Sequence, residues 1–211
     1  MPGLDVAVGV TAYQIAEAAR VAALTAASGR KVTKKLVRAL QDNLAMFWRV
    51  KTETKEHGIT ITREAARGAM HVVDDKPLAV ENLVVSVATS VVKASSKAGV
   101  NPLDGIQGAS QGVIRGAIET GTDVTVATRQ AIQAAREVAR QTGISEDSAI
   151  AKATVGALEA AQAAGPEVVE SVKKALRTTE HDEKEKLSIA VENATVMAIK
   201  MQHSLSSDLY R

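Results

Sequence analysis

The chain has 211 residues, no cysteine, four prolines and a formal net charge of +2. That length suits one domain or two small ones and is enough to bury a sizeable core. Aromatic residues make up only 2% of the chain, so rings cannot dominate that core. The lack of cysteine excludes disulfides, thiolate metal sites, iron–sulfur clusters and thiol nucleophiles.

Charged residues at 24% and hydrophobic residues at 45% describe a folded chain rather than a disordered one. The N-terminal MPGLDVAVGV has no basic leader region, and Gln14, Glu17 and Arg20 interrupt the apolar pattern after it. The longest apolar run, residues 83–92, is about half of the roughly 20 residues that a membrane span needs. A soluble, cytoplasmic protein without a targeting segment is expected.

Residues 4–27 and 32–56 read as a helical hairpin closed at Ser28-Gly29. On its second helix, Val32, Leu36, Leu40, Leu44 and Phe47 share one face. Lys31, Lys34, Lys35, Arg38 and Arg49 take the other. Residues 1–58 hold nine basic against five acidic side chains, and the remainder holds 17 against 19. The positive excess therefore belongs to the hairpin.

An internal period follows. Gly99, Gly121, Gly143 and Gly165 are each 22 residues apart. Asn101, Asp123 and Ser145 suit helix N-caps, and Pro102 and Pro166 suit a first helical turn. Each glycine is the left-handed stop of the helix before it. Each unit is thus a helix of about 19 residues, with joints of two or three residues that favour antiparallel neighbours.

A longer period lies on top of this one. Gly68, Gly112 and Gly156 are 44 residues apart, and each follows an alanine three residues earlier: Ala65, Ala109 and Ala153. The repeat is therefore a helix pair. Its A helices are expected near 61–75, 102–120 and 146–164, and its B helices near 78–98, 124–142 and 167–177. A helix pair of 44 residues falls within the range of α-solenoid repeats. The chain resembles apolipoproteins in its 22-residue spacing alone, because it carries no aromatic between residues 49 and 209. Surface-seeking helices insert aromatics and leucines into the lipid interface.

Glycine costs about 1 kcal/mol against alanine inside a helix, so its recurrence there needs a reason. Ala109, Gly112 and Gly116 share a face that Gly108 extends. Without side chains on that stripe a partner helix can approach closely, either within the domain or from another molecule as a glycine zipper. Gln111, Arg115 and Glu119, with Arg129, Arg136 and Arg140, are read as the polar faces. After the repeats, Thr179 is a candidate cap for a last helix over about 180–206, with a frayed tail behind it.

Catalytic patterns are absent from the text. No Glu-x-x-His pair, His-Glu-x-x-His motif or Gly-x-Ser-x-Gly elbow occurs. The glycine-rich GIQGASQGVIRG lacks the Gly-Lys-Ser/Thr ending of a phosphate loop. His71 shares a helix face with Asp74 and Asp75, a grouping that reads as solvated near a helix end. His181, Asp182 and Glu183 read as a charged helix start.

The expected fold is all-α, an antiparallel helical bundle or short α-solenoid built from 44-residue two-helix repeats. Three regions run in sequence, 1–57, 58–178 and 179–211, as one continuous domain. The expected function is a non-catalytic scaffold or interaction subunit, without cofactor or metal, that forms a homo-oligomer or meets a protein partner. Its helix contacts would run through Ala65, Gly68, Ala109, Gly112, Gly116, Ala153 and Gly156. The alternative is a peripheral coat on an anionic lipid or granule surface, met by Lys31, Lys34, Lys35 and Arg38. Nucleic acid is not an expected partner, since charge is nearly balanced and stacking aromatics are missing.

Overall fold

The computed structural model describes residues 14–22, 38, 39, 42, 55–71 and 80–179, and among these there is no strand. The principal helices are α1 (Lys55–Met70), α2 (Val80–Lys97), α3 (Pro102–Glu119), α4 (Val124–Thr142) and α5 (Glu146–Ala164). Further helical segments cover 14–22 and 166–179. The chain falls into two compact units, Met1–Ala175 and Leu176–Arg211. The closure of the N-terminal hairpin at Ser28-Gly29 and the expected C-terminal helix over 180–206 lie outside the described residues.

The caps follow from local chemistry. Asn101 accepts from the backbone N–H of Leu103 at 2.9 Å. Asp123 accepts from Thr125 at 2.6 Å and Val126 at 3.2 Å, and Ser145 accepts from Ser148 at 3.3 Å. Each side chain satisfies donors that the first helical turn leaves unpaired. Among the described residues, positive φ occurs only at Gly99, Gly121, Gly143 and Gly165. At Gly143 the left-handed conformation, φ 74°, turns its N–H onto the Ala139 carbonyl at 2.9 Å. An L side chain would be strained there. The joints are residues 98–101, 120–123, 143–145 and 165, so their length ranges more widely than two or three residues.

α1 begins at Lys55 and not near 61. Gly58 and the β-branched run after it oppose a helix by propensity, but tertiary contact overrides that preference. Gly58 is buried against Val100, and the Thr62 hydroxyl donates to the Gly58 carbonyl at 2.7 Å. At the other end His71 forms a turn.

The helices form two layers. α1, α3 and α5 lie side by side as the A layer, with α3 in the middle, and α2 packs on α4 as the B layer. Between the layers sit Val84, Val87 and Val91 from α2, Ile106, Val113 and Ile114 from α3, and Ile132 and Val138 from α4, all buried. One void of about 10 Å³ remains at this seam, walled by Ala88, Val92, Ile106, Ala109, Ala134 and their neighbours. Its accessible wall is apolar, and it has barely the volume of one water. Among the described residues, short side chains thus fill the interior without rings.

Candidate interaction surfaces

The repeated glycines mark where the A helices touch. A methyl group on Gly112 would land on the Arg63 carbonyl oxygen and 2.7 Å from the Ala66 Cβ. One turn back, a methyl on Gly108 would strike the Ile59 carbonyl and lie 3.0 Å from the Thr62 Cβ; one turn on, Gly116 meets Met70. The partners advance along α1 as the glycines advance along α3, so the two helices run parallel. Gly156 of α5 sits over the Gln107 carbonyl of α3, 3.2 Å from the Ser110 Cβ, and Gly68 of α1 sits over the Ala16 carbonyl. All three glycines of the 44-residue period therefore rest on a carbonyl of an earlier helix in the same chain. Ala65, Ala109 and Ala153 are buried. Ala109 lines the seam between the layers.

A polar device recurs beside these contacts. Glu119 of α3 accepts from Arg67 on α1 at 2.8 Å and from His71, in the turn just after α1, at 2.9 Å. Glu159 of α5 accepts from Gln107 at 3.0 Å and from Gln111, one turn apart on α3. In both cases the carboxylate lies 52 and 48 residues after its donors, which is the 44-residue period plus two turns or one. The sequence carried that signal, but as an offset between helices and not as a motif. Gln111 is a correction to the reading of polar faces: it is buried, held over α5 by Glu159.

Further charges are tied into the A layer. Glu64 is 2% exposed and is held by Arg63 at 2.8 Å and Arg67 at 3.2 Å. Burial tends to raise the Glu119 carboxyl, but the hydrogen bonds from Arg67 and His71 prevail and hold it below the usual range. Burial lowers the Arg115 guanidinium, with Arg63 beside it acting in the same direction. Arg136 and Arg140 at the end of α4 meet Glu146 in the first turn of α5 at 3.3 Å and 3.7 Å. Both partners suit the helix dipoles there.

The outward row of α5 differs from its counterparts. Thr62, Ala66 and Met70 on α1, and Ile106, Ser110 and Ile114 on α3, are buried. The same register on α5 reads Ile150, Thr154 and Leu158, which are half-buried, with Ala151 and Val155 exposed beside them. Val155 is 43% exposed. Ala151 and Val155 also occupy the register of Gln107 and Gln111, so the third repeat replaces the polar pair with an apolar one.

Of the basic stripe, Arg38 is exposed on a helical segment, while Lys31, Lys34 and Lys35 lie outside the described residues. His71 turns to Glu119; Asp74 and Asp75 lie outside the described residues. Among the described residues no group of three His, Cys, Asp or Glu side chains is arranged to hold a metal ion. None of the described helices is long and apolar enough to cross a membrane.

No family model and no curated protein matches the sequence. Among solved structures the chain is similar to a de novo designed helical repeat protein, DHR7. The two are 24% identical with a TM-score of 0.53, over 81% of this chain and 93% of that one. This likeness concerns the fold alone, and with the repeat geometry above it makes the protein an all-α helical repeat.

Proposed function

We propose that the protein is a non-catalytic interaction module, an assembling subunit or scaffold whose repeat array is continued by a second copy of the chain. The partly exposed row of α5, where Val155 is 43% exposed, carries this reading. Ile150, Thr154, Val155 and Leu158 repeat the surface that α1 and α3 each cover with the next A helix. Repeat arrays need polar terminal caps for solubility, and an apolar row at an end is a surface for association. The glycine rows do not serve this role, since helices of the same chain occupy them.

Light scattering across a dilution series of the full chain tests the proposal. The expected outcome is an average mass that rises with concentration, and a Val155→Glu variant that stays monomeric with unchanged helicity. A wild-type protein that is monomeric at every concentration overturns the assembly.

A further inference from the structure

Among the described residues, Val21 and Val155 are the large apolar side chains that stand exposed, at 45% and 43%. Val155 lies on the latest described A helix, and the sequence places Val21 on the earliest. Segment 14–22 carries Glu17-Ala18-Ala19-Arg20-Val21-Ala22, where α1 carries Glu64-Ala65-Ala66-Arg67-Gly68-Ala69. Five of these six positions are identical. Packing obeys the same alignment. Gly112 of α3 rests on the Arg63 carbonyl of α1, and Gly68 of α1 rests on the carbonyl of Ala16, the residue aligned with Arg63. Segment 14–22 is therefore a further A helix, with Val21 where α1, α3 and α5 have glycine.

The two exposed valines belong to complementary rows. Each later A helix lays its glycine row on its predecessor. On α3 that row includes Gly108 and Gly112, both buried. On 14–22 the same positions are Glu17, half-buried and bonded to Arg20 at 3.0 Å, and exposed Val21. The receiving row on α1 is Arg63, Ala66 and Arg67, the residues that a methyl on Gly112 would meet. Two periods later the same positions on α5 are Ala151, Thr154 and Val155. Val21 of one chain thus falls, by register, among these three residues of another. Valine cannot lie on a carbonyl as glycine does, so the two helices stand further apart there. Ala151 and Val155 suit that wider contact, since they replace with apolar groups the Gln107 and Gln111 that a close carboxylate serves.

We infer that the second copy docks by its 14–22 helix, so that Val21 of one chain packs on the Ala151–Val155 row of the next. This rests on the reading that another copy continues the array, and it names the face that does so. Burial of apolar surface at both rows drives the contact. The contact is heterologous, with a Val21 face at one end and an α5 row at the other. Association therefore passes beyond a dimer into a ring or an open filament. Pairing of one α5 row with another would stop at two chains.

The test is sedimentation of full-length wild type, Val21→Glu, Val155→Glu and an equal mixture of the two variants. Wild type is expected to exceed twice the chain mass at high concentration, and each variant alone to stay at the chain mass with unchanged helicity. The mixture is expected to reach twice the chain mass and no more. There the intact α5 row of Val21→Glu takes the intact 14–22 helix of Val155→Glu, and both remaining ends are blocked. Because the chain has no cysteine, a second measurement uses Val21→Cys and Val155→Cys chains, one isotopically heavy, mixed and oxidised. Disulfides between the two variants are expected to outnumber those within either, and this arm decides the matter should a glutamate variant lose helicity. Self-association of Val21→Glu, a monomeric mixture beside an assembling wild type, or disulfides mainly within one variant overturns the head-to-tail contact while leaving assembly itself standing. A monomeric wild type overturns both.

Discussion

Single residues in this fold act through what a side chain would displace. Gly112→Ala ordinarily gains about 1 kcal/mol of helix propensity. Here the new methyl must push the Arg63 carbonyl and the Ala66 Cβ apart, and overpacking of that kind costs about 1–3 kcal/mol. A net loss of stability is expected, read as a lower denaturant midpoint. Asp123 illustrates a second kind of residue. The N–H of Val126, and after it that of Thr125, hold its carboxyl below the usual value despite some burial. A group depressed in the folded state adds stability above its unfolded pKa and loses it as pH falls through the folded value. Asp123→Ala is expected to cost about 0.5–2 kcal/mol at neutral pH, whereas Asp123→Asn keeps the cap. Thermal melts from neutral pH down through the carboxylate range should show a shallower acid loss for Asp123→Asn than for the wild type.

At the level of helices, close backbone approach and polar clamps work together. Glycine lets α3 lie on α1 and α5 on α3, and the carboxylates of Glu119 and Glu159 then reach donors on the earlier helix. Gln107 and Gln111 are both buried, so removing their shared acceptor strands two amides. Glu159→Ala is expected to cost about 1–3 kcal/mol, the penalty of unsatisfied buried donors. Glu159→Gln keeps an acceptor and should cost less. Urea unfolding of the two variants separates these outcomes, and equal losses would assign the effect to packing instead.

At the largest scale described, repetition explains both the order of the A layer and the exposed row on α5. Each A helix offers one row to its predecessor and one to its successor, so the last described A helix, α5, presents Val155 and its neighbours outward. Mass measurement on Val155→Glu addresses this level, because that change alters an exposed position and leaves the seam between layers intact.

Much of this architecture was legible in the chain. The 22-residue glycines, their caps and the 44-residue helix pair are local signals: a stop needs left-handed glycine, and a start needs a side-chain acceptor. Hence α3, α4 and α5 lie within a residue of the expected 102–120, 124–142 and 146–164. α1 was less legible, because the contact of Gly58 with Val100, from outside the segment, opposes local propensity. The candidate surfaces were least legible. Gln111 belongs to a polar face by its residue type, yet it is buried because Glu159, 48 residues later, accepts from it. Local chemistry along the chain sets where helices begin and end, that they pair every 44 residues, and that scarce aromatics leave alanine, valine and glycine to fill the core. Packing in three dimensions sets which helix each glycine lies on, which carboxylate serves which donors, and which row of α5 stays partly exposed. Those outcomes depend on distances between residues about 50 positions apart, which the packing of layers sets and one-dimensional spacing does not.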